Sequence, residues 1–530
     1  MNKLIISVLI LLGYSFTTEA QIKVGENIAI ANTECGKVRG YIHNDIFVYK
    51  GIPYAEANRF EAPQKPKPWG NVRNTLVWGP VAYLESPTVL TNQEAEFLYD
   101  HNFGYAGEDC MRLNIWTPAI NDGKKRPVMF WIHGGGFVNG SSQELPSYDG
   151  ENLAKRGDVV VVTINHRLNI LGFLDLSAYG EKYKYSANLG MLDIRFALEW
   201  VKSNIVNFGG DPGNVTIFGQ SGGGAKVTSL MAMPSAKGLF HKAIVESGAL
   251  LSFSSGKNET QAIGDQVLQI LDIHPKNIDA IQEIPFQVLA DAGRKALMQI
   301  NEKMKAEGIN GRAGWGPSLD GDLFPYQTLS EQALEMSKEV PLMIGTVKNE
   351  FVQSISAGLD NGTEEQIMEY IRNQWKDKAD AYLTAVKKAY PNDTKPSDLI
   401  DVDLRFRPGS LKEAKLKSGF KGNAPVYVYL FTWQSPVMDG RYKAWHCMEL
   451  PFVFDNIARC EQMTGGGKEA YKLAELLSRT WIQFARTGNP NHKGLPVWDP
   501  YKAEKGNTMI FDNVCQVKYN HDKELMDLAQ

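Results

Sequence analysis

A strand, a tight turn and a helix follow one another in Val215-Thr216-Ile217-Phe218-Gly219-Gln220-Ser221-Gly222-Gly223-Gly224-Ala225. The pattern G-x-S-x-G between an apolar strand and a helix is typical of a nucleophile elbow. Such a turn holds its serine in a strained backbone conformation, and Gly219 and Gly223 lack the β-carbon atoms that would collide there. A phosphate-binding loop is the alternative, but no Gly-Lys-Ser or Gly-Lys-Thr supports it. We therefore predict that Ser221 is a nucleophile at the carboxyl edge of a sheet.

Short runs rich in Val and Ile alternate with longer helical stretches along the chain. The predicted strands are residues 127–132, 158–164, 215–218, 242–245, 341–346 and 425–432. Residues 192–206 carry apolar side chains at helical spacing and predict a crossover helix. The alternation predicts an α/β fold with a mostly parallel sheet flanked by helices. Because no repeat or linker divides the sequence, we expect one domain over residues 21–530.

Residues 359–421 are the most charged and least strand-like part of the sequence. They predict helices inserted on top of the sheet. These helices either cap a pocket over the active site or merely decorate the surface, and the sequence favours neither interpretation.

A second glycine-rich turn follows another apolar run, in His133-Gly134-Gly135-Gly136-Phe137. A turn of this type before the elbow is typical of an oxyanion hole, whose backbone N–H groups face a developing alkoxide. We predict that Gly135 and Gly136 supply two of the donors. The third is expected from Gly222, directly after the nucleophile, with Ala225 as a second candidate. A flexible loop is the alternative interpretation.

A nucleophilic serine needs a base, which is expected after both the serine and the acid in a chain with this elbow. His446 follows the strand predicted at 425–432, where a loop at the carboxyl edge of the sheet is expected. His241 lies before the next strand and too near the elbow helix to fit the order. We therefore predict His446 as the base.

The base in turn needs an acid that fixes its tautomer. Glu350 comes just beyond the strand predicted at 341–346, and therefore on the same edge as the other two residues. Asp320 and Asp322 precede that strand and are more typical of turns. Placement favours Glu350 over these alternatives.

The N-terminal residues 1–20 read as a signal peptide. Lys3 is followed by a nearly continuous apolar run at 4–12, and small residues Thr18 and Ala20 mark a cleavage site. The run is shorter than the roughly 20 residues that span a bilayer, so a signal peptide that is removed is favoured over a membrane anchor. We expect a secreted or periplasmic protein, cut near Ala20, with no stable membrane insertion.

Composition and charge exclude several other classes of function. A formal net charge of -4 over 530 residues offers no electrostatic basis for binding nucleic acid. The dispersed histidines and cysteines form no metal-binding motif, and we expect no metal and no cofactor. The cysteines are too few to form a disulfide scaffold. They are Cys35, Cys110, Cys447, Cys460 and Cys515.

Several further motifs occur in a fixed order around the elbow. They are Gly51-Ile52-Pro53-Tyr54-Ala55, Glu108-Asp109-Cys110-Met111-Arg112-Leu113-Asn114, Asn207-Phe208-Gly209-Gly210-Asp211-Pro212 and Thr487-Gly488-Asn489-Pro490. In these motifs the chain resembles the type-B carboxylesterases, relatives of the cholinesterases and of bacterial para-nitrobenzyl esterases, nearly from end to end. The resemblance implies an α/β-hydrolase fold, the acid at Glu350 and the base at His446. We expect a bacterial member.

Two positions depart from the pattern of that family. Gln220 stands where many members have a glutamate before the serine, which weakens any analogy to enzymes that select cationic choline esters. Cys110 matches a cysteine that is disulfide-bonded in many members, but residues 78–87, where its partner would lie, contain no cysteine. Whether Cys35 replaces that partner is open.

The predicted function is hydrolysis of a small-molecule carboxylic ester by a serine carboxylesterase, through an acyl-enzyme and a Ser-His-Glu triad. Because the same machinery serves any acyl transfer, an amide, thioester, lactone or carbamate is the alternative bond. A binding protein of the same fold without activity is a more distant alternative, which the presence of Ser221, Glu350 and His446 argues against. No pattern in the sequence predicts the oligomeric state.

Overall fold

A twelve-stranded sheet forms the centre of the computed structural model, which describes residues 22–84, 92–249 and 255–529. Its strands, numbered in chain order, are β1 (Ile22–Lys23), β2 (Tyr41–His43), β3 (Ile46–Pro53), β4 (Arg112–Thr117), β5 (Arg126–Ile132), β6 (Val160–Ile164), β7 (Gly210–Gln220), β8 (Lys242–Glu246), β9 (Leu342–Val347), β10 (Val426–Phe431), β11 (Asn507–Phe511) and β12 (Gln516–Tyr519). The inner strands are buried runs of β-branched and aromatic residues, which pack well on a pleated surface.

The inner strands run parallel, in the spatial order β6-β5-β7-β8-β9-β10-β11. Strands β1 to β4 extend one side of this core as antiparallel neighbours, and β12 pairs antiparallel on the other. Parallel neighbours require crossover connections, which helices supply. The carboxyl ends of β5 to β11 therefore share one edge of the sheet.

Helices pack on both faces of the sheet. The longer ones are α1 (Leu189–Asn204), α2 (Gly222–Met231), α3 (Lys257–Ile270), α4 (Phe286–Ala306), α5 (Glu364–Trp375), α6 (Ala379–Ala389), α7 (Arg407–Gly419) and α8 (Lys468–Thr487). Shorter α-helices are Gln93–Tyr99, Glu151–Gly157, Asn169–Phe173, Glu331–Glu335, Gln353–Ser356, Leu450–Val453, Glu461–Thr464 and Lys523–Leu528. Two small sheets join Ile30–Thr33, Gly36–Arg39 and Arg73–Asn74, and Ser255–Gly256 with Ser318–Leu319.

The α/β architecture predicted from the sequence is confirmed, and β5, β6, β8, β9 and β10 closely match their predicted bounds. The predicted crossover helix is α1. Strand β7 is longer than predicted at its amino end. Gly210 pairs with Arg126 before an irregularity in the register, and the regular pairing begins at Val215 with Val128.

Strands β5 to β10 each contribute to two hydrophobic cores, because successive side chains point to opposite faces of a sheet. In β5, Val128, Phe130 and Ile132 pack into one core, which also includes side chains of α1 and α2. Met129 and Trp131 pack into the other, under α8. The sheet is thus covered on both faces, as its nearly all-apolar parallel strands require.

The charged region at 359–421 contains the helices α5, α6 and α7. Helices α5 and α6 pack around a separate small core that includes Ile367, Ile371 and Tyr382. Side chains of both helices line a cavity of about 550 Å³ that also touches Glu350. These helices therefore border an open cavity beside the carboxyl edge of the sheet.

The predicted signal peptide at 1–20 lies outside the described residues. Within the described ranges, no helix is both long enough and apolar enough to cross a membrane. All five cysteines are free thiols, so Cys35 and Cys110 are not joined. The Cys35 Sγ instead donates a hydrogen bond to the Pro66 carbonyl at 3.3 Å.

Candidate active site

Ser221 lies between the end of β7 and the first residue of α2. Its backbone has φ 57° and ψ -125°, a conformation that L-residues rarely adopt and that costs on the order of 1–3 kcal/mol. The peptide N–H of Ser221 donates to the carbonyl of Glu246, at the end of β8, at 2.8 Å. The strained turn predicted for the elbow is therefore present, and it leaves Ser221 partly exposed.

The elbow is packed so closely that two of its glycines admit no side chain. A β-carbon on Gly223 would lie 2.0 Å from the carbonyl oxygen of Ile132, at the end of β5. A β-carbon on Gly219 would lie 2.6 Å from that same oxygen. The sequence pattern thus has the steric origin that was inferred for it.

Glu350 and His446 meet at the carboxyl edge, where they follow the neighbouring strands β9 and β10. The Nδ1 atom of His446 lies 2.5 Å from Oε2 of Glu350, a hydrogen-bond distance. The peptide N–H of His446 also donates to the Glu350 carbonyl at 2.8 Å. On the other side, Glu350 Oε1 accepts from the Val347 N–H at 3.2 Å. The carboxylate and the ring are therefore fixed relative to each other through both side chain and backbone.

The residue before the nucleophile contacts the histidine ring. Gln220 Nε2 lies 3.3 Å from Nδ1 and 3.4 Å from Nε2 of His446. Because ring atom Cε1 lies between the two nitrogens, an amide this close to both lies over the ring face rather than in its plane. Cys447 Sγ donates to Gln220 Oε1 at 3.1 Å and so helps to hold the amide. Gln220 thereby connects the elbow to His446.

Aromatic side chains also border the His446 ring. The Phe351 ring centroid lies 4.7 Å from that of His446, and the Phe406 ring is stacked nearly parallel at 5.5 Å. These contacts bury most of the imidazole, whose side chain keeps 12% of its exposure. The ring is therefore held in one orientation in a mostly apolar environment.

Burial changes the proton affinity of both groups in this pair. It raises the pKa of Glu350 to about 8, although the Ser247 hydroxyl and the Val347 N–H act in the opposite direction. It lowers the pKa of His446 to about 4, while Asp403 acts in the opposite direction. Burial thus favours an uncharged imidazole, the form that can accept a proton from a serine.

The glycine turn predicted as an oxyanion hole packs against the elbow. Gly135 and Gly136 both have positive φ, at 77° and 63°. A β-carbon on Gly222 would lie 2.3 Å from the backbone nitrogen of Gly136. The structure therefore brings the two segments into direct contact at Gly136 and Gly222.

The two candidates for the third oxyanion donor differ in their helical hydrogen bonds. Gly222 is the first residue of α2, where an N–H has no carbonyl partner within the helix. Ala225 lies one turn later, and its N–H donates to the Ser221 carbonyl at 3.0 Å. The Ala225 N–H is thus already engaged in the helix.

The rejected candidates have other surroundings. His241 precedes β8 and accepts from the Val215 N–H at 3.1 Å, in the middle of β7 and not at its carboxyl end, where Ser221 lies. Asp320 accepts from the N–H groups of Asp322 and Phe324 at 3.0 Å, as a turn-forming residue does. The aromatic side chains of Trp116, Trp131, Phe137 and Trp445 are buried in the cores.

Two residues near the site were not found by sequence reasoning. Ser247 directly follows β8 with φ 47°, and its hydroxyl faces Glu350. Ser247 could have been found by the signal that identified Glu350, because both residues follow a strand at the carboxyl edge of the sheet. Lys226 lies fully buried on α2, and a lysine that follows a glycine-rich elbow carries no signal of burial.

In the part of the chain that the structure describes, no group of three or more His, Cys, Asp or Glu residues is arranged to hold a metal ion.

Comparison with known families gives one match over nearly the whole chain. The model of the carboxylesterase family matches residues 27–528. Para-nitrobenzyl esterase of Bacillus subtilis is 35% identical over 504 residues, which cover 93% of this chain and 97% of that protein. Phenmedipham hydrolase of Pseudarthrobacter oxydans is 30% identical, with 90% of this chain and 93% of that protein covered.

Solved structures of esterases are also similar to this chain over nearly its whole length. An esterase from the anaerobe Clostridium hathewayi that can hydrolyze aliphatic aromatic polyesters has a TM-score of 0.84 at 37% identity, covering 95% of this chain and 98% of its own. A thermophilic PNB esterase has a TM-score of 0.76 at 34% identity, covering 94% and 99%. The similarity thus extends over sequence, length and fold together.

Proposed function

The chain belongs to the carboxylesterase family and hydrolyses carboxylic esters, and on that premise we propose that Ser221, His446 and Glu350 are its catalytic triad. The observation that carries the proposal is the 2.5 Å hydrogen bond between His446 Nδ1 and Glu350 Oε2. It leaves Nε2 as the nitrogen that can act as a base. The strained backbone of Ser221, and the contact of its neighbour Gln220 with the same ring, support the assignment of the nucleophile.

In the proposed reaction, His446 takes the hydroxyl proton of Ser221 as Oγ attacks the ester carbonyl carbon. The carbonyl oxygen becomes an oxyanion, and the tetrahedral intermediate collapses when His446 returns the proton to the departing alcohol. Water then attacks the acyl-enzyme with the same histidine as base, which releases the acid and restores Ser221. Glu350 stabilises the imidazolium in both steps without taking its proton.

The oxyanion hole in this proposal consists of the N–H groups of Gly135, Gly136 and Gly222. The close approach of Gly222 to the backbone of Gly136 supports a site that both segments share. Ala225 is less suitable, because its N–H already donates to Ser221. Each donor of this kind is worth roughly 3 kcal/mol of transition-state stabilisation.

The substrates we propose are uncharged esters. The residue before the nucleophile is Gln220, so the site has no carboxylate at this position to attract a cationic alcohol group. The esterase of Clostridium hathewayi can hydrolyze aliphatic aromatic polyesters. Short diesters of an aromatic acid with an aliphatic alcohol are therefore reasonable test substrates beside simple alkyl esters.

We also propose that residues 1–20 are removed during export, and that residues 21–530 form a single catalytic domain. The N-terminal apolar run and the small residues before Gln21 support the cleavage, and the match over residues 27–528 supports the single domain. N-terminal sequencing of the protein recovered outside the cytoplasm tests the first point. A start at another residue, or an intact Met1, would contradict it.

The test of the enzymatic proposal is hydrolysis of short- and medium-chain para-nitrophenyl esters by the mature chain and by Ser221→Ala. We expect kcat to fall by about 10⁴-fold or more, as loss of a triad member usually produces. Ser229→Ala is the matched control, because Ser229 lies on the same helix and donates its hydroxyl to the Ala225 carbonyl. Equal activity in wild type and Ser221→Ala would reject Ser221 as the nucleophile. Faster turnover of matched amides or thioesters would show that the preferred substrate bond is an amide or a thioester and not an ester.

A further inference from the structure

Lys226 is a fully buried cation on the elbow helix. Its side chain has no exposed surface and lies one turn beyond Ser221 on α2. The ammonium group donates to the carbonyl of His133 at 3.1 Å and approaches that of Gly134 at 3.4 Å. Both carbonyls belong to the turn that carries Gly135, so Lys226 is attached to the proposed oxyanion hole from behind.

The environment of this ammonium group destabilises its charged form. The Phe137 ring centroid lies 5.6 Å from Nζ, and the stacked rings of His133 and His166 also face it. Glu144 is the acidic group that acts on it and favours its charged form. Burial nevertheless lowers the pKa of Lys226 to about 7. A buried apolar side chain of similar length would avoid this cost, so fold stability alone does not explain a lysine here.

The geometry of the peptide bond explains what the cation can do. The Gly134 carbonyl and the Gly135 N–H belong to one trans peptide group and therefore point in opposite directions. A cation at the carbonyl oxygen draws electron density from the whole group and makes its N–H a stronger donor. The same contacts fix the carbonyls on the protein side, which leaves the Gly135 N–H facing the open side, where Gly135 is exposed.

We infer that Lys226 is a positioning residue of the oxyanion hole, which orients and polarises the Gly134–Gly135 peptide from behind so that the Gly135 N–H stabilises the oxyanion. The inference rests on the proposed function, because it needs an oxyanion bound at Gly135. Lys226 touches no reacting atom. Its effect belongs to the transition state, in which the negative charge develops.

The main test is Lys226→Met, which keeps the length of the side chain and removes the charge and the donor. We expect kcat to fall about 10-fold with little change in KM, since a polarised donor contributes part of what a complete oxyanion donor does. Lys417→Met is the matched control, because Lys417 on α7 is also buried and donates to a backbone carbonyl, that of Ser337, which belongs to neither glycine turn of the site. Its kcat should equal that of the wild type.

The ratio of wild-type to Lys226→Met kcat distinguishes a charge effect from a structural one. The ammonium is present below its lowered pKa and is lost as the pH rises through about 7. The ratio should therefore be largest at low pH and approach one at high pH. Glu144, His133 and His166 are the titratable groups that face Lys226, and all three are unchanged in the variant. A ratio that is the same at every pH would overturn the inference.

Lys226→Gln provides a second variant, which keeps a hydrogen-bond donor but has no charge. It should lose the pH-dependent part of the effect, and wild-type activity at every pH would contradict the inference. Binding of a trifluoromethyl ketone gives an independent readout, because Ser221 Oγ adds to its carbonyl carbon and creates the same oxyanion. Its affinity should fall with kcat in both variants.

These outcomes are separable from a failure of the proposed function. If the wild type shows no turnover that depends on Ser221, the proposed function is wrong and the role of Lys226 falls with it. If Ser221-dependent turnover is normal and Lys226→Met matches the wild type in kcat and in ketone affinity, only the inference about Lys226 is wrong. Circular dichroism of each variant establishes that the compared chains are folded.

Discussion

The Nδ1 atom of His446 lies 2.5 Å from Oε2 of Glu350, and the His446 N–H donates to the Glu350 carbonyl at 2.8 Å. Two residues that are far apart in the sequence are thus joined through a side-chain and a backbone contact at once. Because β9 and β10 are parallel neighbours, the loops that follow them leave the sheet side by side. The position of the proposed acid relative to the proposed base is therefore a property of the sheet.

Glu350→Gln should retain the shape of this contact and lose its charge. We expect kcat for a para-nitrophenyl ester to fall by about 10³- to 10⁴-fold, because an amide neither stabilises the imidazolium nor fixes the tautomer that leaves Nε2 free. Glu369→Gln, at an exposed position on α5, is the control for the same chemical change. A Glu350→Gln enzyme with more than a tenth of wild-type kcat would exclude Glu350 as the orienting acid.

The pH dependence of the wild type should reflect the burial of Glu350. Its pKa is raised to about 8, so it takes up a proton at a higher pH than an exposed glutamate does. Protonated Glu350 cannot accept the Nδ1 proton of His446, and kcat/KM should therefore fall as the pH falls through this range. A pH profile measured on a neutral ester checks this expectation. A profile that stays flat from pH 8 down to the range near pH 4, in which His446 itself takes up a proton, would contradict this expectation.

Gly136→Ala should impair catalysis more than it impairs folding. A β-carbon at Gly136 would have open space around it, with its nearest neighbour at 4.0 Å, but φ of 63° is unfavourable for alanine by about 1–2 kcal/mol. We expect the turn to relax and misdirect its N–H groups, lowering kcat about 10- to 100-fold.

Gly123→Ala is the matched control for this change, because Gly123 has φ of 73° and no atom near a new β-carbon. It lies in the turn before β5, on the edge of the sheet opposite Ser221. Both variants should lose a similar amount of thermal stability, and only Gly136→Ala should lose activity. Equal activity in the two variants would argue against Gly136 as an oxyanion donor.

Gln220→Glu tests whether this position sets the preference for uncharged esters. A carboxylate over the His446 ring should raise the pKa of the imidazole by about one unit, since an opposite charge at this distance favours the protonated form. The kcat/KM for a choline ester should rise severalfold relative to its uncharged isostere.

Gln269→Glu adds the same charge at an exposed position on α3 and should leave that ratio unchanged. The measurement compares the two esters at several salt concentrations, because a local electrostatic effect weakens as salt screens it. If the ratio moves equally in both variants, net charge rather than position 220 controls the preference.

Much of the site could be predicted from the sequence because it obeys local rules. Ser221 and Glu350 come just after recognisable apolar strands, His446 lies in the long loop after β10, and parallel strands bring their carboxyl ends to one edge. The exclusion of His241 rests on the same rule, since it precedes its strand. The full length of β7 was not predicted. Its first residues show no hydrophobic pattern, and Gly210 belongs to the strand because it pairs with Arg126 of β5.

The sequence by itself determined the elbow, the order of the three proposed catalytic residues and the α/β class, since strand periodicity and glycine sterics act over a few residues. Tertiary structure alone decided which groups touch. The engaged N–H of Ala225, the amide of Gln220 over His446 and the burial of Lys226 depend on elements far apart in the chain. A local pattern constrains the backbone it belongs to, whereas distance, burial and pKa depend on what packs against it from elsewhere.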